Sequence, residues 1–171
     1  MKARIEQGPI VLAYDGSPAA EHAVREAGAL LAARPALVVV VWKQGLGFEL
    51  LELPTATIGL PPAKIDIRTA LEIDEAMRER AQLLARKGAG VARDSGFEAE
   101  GLAIAEDVDA DVAEAILEVA LKRDAQAIVV GAHGHGSAAE IVLGTTSRAV
   151  VRRATSPVLV VRESKRASSA D

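Results

Sequence analysis

The sequence contains no cysteine, few aromatic residues and no long apolar segment. The absence of cysteine excludes disulfides, thiolate zinc sites and a thiol nucleophile, and it favours a reducing compartment. The longest apolar run, 36–42, has the length of a strand and falls far short of the ~18 residues of a membrane span. Lys2 and Arg4 are followed by Glu6 and Gly8 rather than by the apolar core of a signal peptide. We therefore expect a cytoplasmic protein that does not enter a membrane.

The charge balance is unsuited to a nucleic-acid partner. Twenty basic and twenty-four acidic side chains give a formal net charge of −4, whereas nucleic-acid binders carry a basic surface. The aromatic residues are too few to stack successive bases of a single strand. What the chain does have, 171 residues of which 50% are hydrophobic, suffices for one domain with a substantial core.

Short continuous apolar runs alternate along the chain with helical spacing, which predicts a parallel sheet with helical crossovers. Five runs have strand character: Ile10 to Tyr14, Ala36 to Trp42, Ala99 to Ala105, Ala127 to Val130 and Pro157 to Val161. Val38–Val41 and Val158–Val161 contain no polar residue, as expected of strands that are covered on both faces.

The helices between these runs have recognisable beginnings. Ser17 is a suitable N-cap for the first helix, and Thr69 with Glu72 forms a capping-box pattern that begins a second helix ending near Ser95. The apolar stripe of the third helix begins at Val108. Residues 43–64 fit neither period and predict a long loop, which is either a lid or partner surface, or a variable insertion without a role.

Glycines and hydroxyl groups follow the fourth strand directly. Gly131 and Gly134 allow the backbone to turn sharply and to approach a ligand closely. A further helix is predicted to begin at Thr145 or Thr146, where free N–H groups, the positive helix dipole and neighbouring hydroxyls, Ser147 included, suit a phosphate. Ordinary turn and cap chemistry explains the same residue types equally well, so both interpretations stay open from spacing alone.

The carboxylate of Asp15 follows the end of the first strand, as the glycines follow the end of the fourth. Ligands of open parallel sheets bind beyond the carboxyl ends of the strands, where the strand order reverses. If the first and fourth strands are neighbours, Asp15 and Gly131 face one crevice. Asp15 would then contact a ribose hydroxyl or help to hold magnesium, and a turn-forming side chain is the alternative role.

Other constellations carry less weight. His133 and His135 have no third ligand at a recognisable spacing, so we do not predict a metal site. The chain contains neither a P-loop nor a dinucleotide-binding glycine fingerprint.

The spacing Gly131, two residues, Gly134, nine residues, Gly144-Thr145 resembles the G-x2-G-x9-G-[ST] nucleotide loop of the universal stress protein family. The first strand ending in Tyr14-Asp15-Gly16-Ser17 and the closing segment 154–161 agree with this resemblance. It covers Pro9 to Arg162 as one domain, and it leaves 1–8 as an amino-terminal extension and 163–171 as a flexible tail.

The resemblance implies an α/β fold like that of the adenine nucleotide alpha hydrolases: an open five-stranded parallel sheet of order 3-2-1-4-5 with helices on both faces. It also implies a homodimer, which we expect to form through the last strand because that strand lies at the sheet edge in the family order. Family members that keep the glycine loop resemble ATP binders, so we expect ATP, or AMP or ADP, with Mg²⁺. Carried over by position, the phosphate contacts would be Gly131, Gly134, Gly144, Thr145 and Thr146. Asp15 would lie beside the adenosine, and Val41 or its neighbour would line the adenine pocket.

The loop supplies mainly neutral donors, which suit binding better than phosphoryl transfer. The first hypothesis is therefore an ATP-binding stress-response protein whose nucleotide sets the conformation or partner of a dimer. A slow ATP hydrolase or autophosphorylating enzyme, and a nucleotide-free dimeric scaffold, are the alternatives.

Overall fold

A computed structural model describes residues 8–31, 34–52, 66–132 and 143–162. Its strands are β1 (Ile10–Ala13), β2 (Pro35–Gln44), β3 (Glu98–Asp107), β4 (Ala127–Gly131) and β5 (Val158–Val161). They form one sheet of order β3-β2-β1-β4-β5, and each neighbouring pair is parallel. The predicted strand order and direction are therefore confirmed.

Helices cover both faces of this sheet. They are α1 (Pro18–Leu31), α2 (Leu46–Glu52), α3 (Ile67–Asp94), α4 (Val112–Lys122) and α5 (Thr145–Arg153). Alternate residues of the strands contribute to two separate apolar clusters, with Leu12 in one and Val11 in the other. The first cluster contains the buried faces of α1 and α3, and the second contains those of α4 and α5. This layering explains why β1 and the centre of β2 read as continuous apolar runs.

The helix beginnings agree with the sequence prediction at two places and differ at two. The helix α5 begins at Thr145, as predicted. Ser17 caps α1, because its Oγ accepts the N–H of Ala20 at 3.1 Å. The prediction that a capping box at Thr69 begins α3 is wrong. Asp66 caps this helix, and its Oδ1 accepts the Thr69 N–H at 2.8 Å. The third predicted helix also begins later than expected. The apolar stripe predicts a beginning at Val108, which lies in a turn, whereas Asp111 caps α4.

The predicted loop 43–64 is wrong in its first part. The strand β2 continues to Gln44, and α2 follows it. A carboxylate of α3 stabilises the beginning of α2, since Asp74 accepts the N–H of Gly45 at 2.7 Å and that of Gly47 at 3.1 Å. Gly45 has a φ of +85°, which a side chain would disfavour. Residues 53–64 lie outside the described part of the chain.

The strand order reverses between β1 and β4, which are hydrogen-bonded neighbours. The crevice expected at such a switch point therefore lies beyond the carboxyl ends of these two strands. The described elements run from Ile10 to Val161, within the predicted domain 9–162. Residues 1–7 and 163–171, which include most of the predicted extension and the whole tail, lie outside the described residues. Across the described helices, none has the length and apolar character that a bilayer crossing requires.

Candidate functional site

The turn after β1 carries Asp15 at the carboxyl edge of the sheet. Its Oδ1 accepts the backbone N–H of Ser17 at 2.9 Å, and the side chain is exposed. The intervening Gly16 has a φ of +80°, which allows the chain to turn into α1. Asp15 therefore has the turn-forming role, and its carboxylate lies at the carboxyl edge of the sheet.

The residue before Asp15 is fixed by a polar cluster between α1 and α3. Tyr14 is only 4% exposed, and its hydroxyl donates to Glu21 Oε1 at 3.2 Å. The ammonium of Lys87 donates to the same oxygen at 2.6 Å. This hydrogen bond from Lys87 lowers the pKa of Glu21, and burial raises the pKa of Tyr14. The sequence does not reveal this cluster, because only the packing of α3 on α1 brings the three residues together.

The end of β4 is tied directly to the beginning of α5. The buried Ser147 donates its hydroxyl hydrogen to the carbonyl oxygen of Gly131 at 2.6 Å. The N–H of Gly144 donates to the carbonyl oxygen of Ala132 at 2.8 Å. The Ser147 hydroxyl and the Gly144 amide therefore hold the protein's own backbone, which corrects the expectation that the serine hydroxyl belongs to a phosphate site.

Three further backbone donors lie in the first turn of α5. Gly144 is the N-cap and provides no side-chain hydrogen bond, and the intrahelical ladder begins with the N–H of Arg148 on Gly144 O at 2.9 Å. The preceding N–H groups of Thr145, Thr146 and Ser147 consequently have no acceptor within the helix. Thr145 is exposed and Thr146 is half-buried. Together with the positive end of the helix dipole, this turn can bind an anion.

Three of the predicted positions lie along the carboxyl edge of the sheet. Asp15 follows β1, Gly131 ends β4, and Val41 lies in the part of β2 that extends past the end of β1. Val41 is half-buried and packs against the second apolar cluster. Gly134 lies outside the described residues, as do His133 and His135. Within 8–31, 34–52, 66–132 and 143–162, no group of three or more histidine or acidic side chains is placed to hold a metal ion.

The strand order and the two helical layers define a doubly wound α/β domain, a class of fold whose ligand sites lie at the carboxyl edge of the sheet. Residues 55–162 match the universal stress protein family. The chain is also 33% identical over 153 residues to the universal stress protein in the QAH/OAS sulfhydrylase 3′ region of Thermus aquaticus, an alignment that covers 90% of this chain and 97% of that protein. The chain belongs to the universal stress protein family.

Solved structures with the same fold include two nucleotide complexes. A universal stress protein in complex with cAMP is similar with a TM-score of 0.61 and 21% identity, over 92% of this chain and 98% of that one. The universal stress protein from Archaeoglobus fulgidus in complex with dAMP has a TM-score of 0.53 and 24% identity, over 90% of this chain and 96% of that one. At these identities the likeness demonstrates the common fold.

Proposed function

We propose that this chain is an ATP-binding universal stress protein that acts as a nucleotide-dependent regulatory or binding protein in the stress response. The observation that carries the proposal is the amino terminus of α5, which has a glycine N-cap without a side-chain hydrogen bond. In each of the other described helices, one amide of the first turn is bound by a side-chain oxygen, that of Ser17, Asp74, Asp66 or Asp111. The donors of α5 are therefore the ones that suit an anion at the crevice.

The phosphates of ATP would lie against the first turn of α5. The N–H groups of Thr145, Thr146 and Ser147, with the two threonine hydroxyls, are the donors we assign to them. Gly131, Gly134 and Gly144 would allow this close approach, since none has a side chain to obstruct an anion.

The adenosine would lie toward β1 and β2. Asp15 supplies an exposed carboxylate beside the ribose, and Val41 supplies an apolar surface for adenine. Mg²⁺ would accompany ATP as a phosphate-bound ion, which needs only one or two protein carboxylates and hence no dedicated protein cage. The two family members solved with cAMP and with dAMP support an adenine nucleotide as the ligand.

Thermal unfolding of the purified protein tests this proposal. ATP with magnesium should raise the melting temperature, because a ligand at a hundredfold its dissociation constant adds about 2.7 kcal/mol to stability. ADP and AMP, measured in parallel, determine how much of the affinity depends on the phosphate chain. An unchanged melting temperature at millimolar ATP, ADP and AMP would contradict nucleotide binding and favour the nucleotide-free scaffold.

We also propose a homodimer that forms through β5. This strand is one edge of the sheet, and all four of its residues are half-buried apolar side chains. An edge strand leaves backbone groups that a second copy can pair with. Light scattering at micromolar concentration should give the mass of a dimer, and a monomer would contradict this arrangement. The cytoplasmic location stays a prediction from the sequence.

A further inference from the structure

The strands β2 and β3 project beyond the rest of the sheet at its carboxyl edge. β1 ends at Ala13, which lies opposite Val39 of β2. β2 and β3 remain paired as far as Gln44 and Asp107. This two-stranded projection contains Val41, and it rises past the end of β1 on the side away from β4.

Lys43 lies on the face of this projection that points to the same side of the sheet as α4 and α5. Side chains alternate between the faces of a strand, so Lys43 shares one face of β2 with Val39 and Val41. These two valines belong to the apolar cluster that also contains Val150 of α5. Lys43 is therefore on the same side of the sheet as α5, one step beyond the residue that we assign to the adenine pocket.

The ammonium group of the half-buried Lys43 holds the loop that follows β3. Its Nζ donates to the carbonyl oxygen of Asp107 at 3.1 Å and also to the carbonyl oxygen of Ala110. The Asp107 carbonyl also accepts the N–H of Ala110 at 2.9 Å, and the Gln44 side-chain amide donates to Asp107 Oδ1 at 3.0 Å. A charged donor shared by two carbonyl groups fixes the loop on the tip of β2.

The far end of this loop is fixed by a different set of contacts. Asp111 accepts the N–H of Ala113 at 3.0 Å, which caps α4, and it pairs with Arg153 of α5 at 2.7 Å. The segment 107–111 is therefore held by Lys43 at Asp107 and Ala110, and by α4 and α5 at Asp111.

We propose that Lys43 is a positioning residue for the base end of the bound nucleotide. It keeps segment 107–111 against the tip of β2 and thereby maintains the shape of the pocket wall beside Val41. Two of its ammonium donors are directed at loop carbonyls, so Lys43 acts through the loop rather than by contact with the nucleotide. This inference rests on the proposed nucleotide function and assigns a role within that same site.

Calorimetric titration of Lys43→Met with adenosine, AMP and ATP tests the role. The substitution keeps much of the apolar stem and removes the charged donor. We expect the affinity for all three ligands to fall by the same factor, about tenfold, because they share the base and ribose. Lys43→Arg should recover part of the loss. Lys122→Met is the matched control, since Lys122 pairs only with Glu118 of its own helix among the described residues, and it should behave like the wild type.

Two further measurements keep the test decisive. Amide exchange at Ala110 should accelerate in ligand-free Lys43→Met and stay unchanged in Lys122→Met. Gln44→Ala removes the other side-chain contact to Asp107. It should weaken the binding of all three ligands by the same factor, a smaller one than in Lys43→Met, and it replaces Lys43→Met in the test if that variant does not fold.

The possible results separate the two proposals. Wild-type binding that Lys43→Met leaves unchanged overturns this inference alone. A loss confined to ATP also overturns it, because that result indicates a direct phosphate contact. A wild-type protein that binds none of the three ligands overturns the proposed function, and the role of Lys43 with it.

Discussion

The helices α1 and α5 begin at the same edge of the sheet, after the neighbouring strands β1 and β4, yet their first turns differ in chemistry. Ser17 is buried and caps α1 with its own hydroxyl, and Asp15 forms the preceding turn. Ser147 is buried too, but its hydroxyl donates to the carbonyl of Gly131 and leaves the first amides of α5 without it. Equivalent topology therefore produces one closed terminus, capped by a serine hydroxyl, and one open terminus without a side-chain cap, to which our proposal assigns the phosphates.

The largest expected effect comes from placing a carboxylate at the open terminus. Thr145→Asp should lower ATP affinity about a hundredfold, because two unit charges about 5 Å apart at a protein surface repel by about 3 kcal/mol. The same carboxylate should stabilise the ligand-free protein by up to about 1 kcal/mol through the helix dipole. Titration calorimetry and thermal unfolding measure these opposite changes.

Thr145→Asn is the matched control for this charge. Asparagine has the shape of aspartate without the negative charge, so its ATP affinity should stay within about fivefold of the wild type. Equal losses of ATP affinity in the two variants would show that a negative charge at the α5 terminus does not repel the ligand.

The closed terminus depends on close packing, which two glycines of α3 can test. A Cβ atom at Gly88 would lie 2.7 Å from Cδ1 of Tyr14 and 2.8 Å from Cγ1 of Val38, whereas one at Gly90 would have no described atom within 4 Å. Gly88→Ala should therefore reduce the free energy of unfolding by about 1 to 2 kcal/mol, since overpacking exceeds the helix-propensity gain. Gly90→Ala should instead increase it by about 1 kcal/mol. Denaturant titrations that give both variants the same sign would contradict the packing around Tyr14.

Alanine substitutions of the two buried serines test the difference between the two helix termini directly. Ser17→Ala removes a helix cap, and Ser147→Ala removes a buried hydrogen bond to Gly131, so each should lower the free energy of unfolding by about 1 kcal/mol. Only Ser147→Ala should also weaken ATP binding, because its hydroxyl ties α5 to the end of β4. If the two variants lose the same ATP affinity, the distinction between the termini is wrong.

The fold was largely predictable because each strand contains a short, mainly apolar segment bounded by turn residues. Those segments correspond to all five observed strands. The prediction placed the beginning of α3 too late because Thr69 and Glu72 have the spacing of a capping box. The observed N-cap, Asp66, lies one turn earlier. The helix α2 was missed because seven residues are too few to display a helical period, and its first amides are stabilised by Asp74 from a distant part of the chain.

The candidate site was predictable only in part. The positions of Asp15, Gly131 and Thr145 at one edge follow from strand ends and parallel topology. The partners of Ser147 and Lys43 are backbone carbonyls, which have no signature in the sequence. For the same reason the sequence presented Ser147 as a phosphate donor, although the folded chain uses its hydroxyl internally.

The smallest expected effect concerns the charge of Glu21 beside the closed terminus. The hydrogen bond from Lys87 holds the pKa of Glu21 below its ordinary value of 4.5, so the carboxylate stabilises the fold above that pH. This contribution disappears as the pH falls through the lowered folded pKa. Glu21→Gln should lower stability at pH 7 by at most about 1 kcal/mol, and the difference from the wild type should shrink toward pH 3. Urea titrations at both pH values measure it, with Glu118→Gln on the exposed face of α4 as control. A difference that stays constant with pH would mean that the ion pair between Glu21 and Lys87 does not stabilise the contact of α1 with α3.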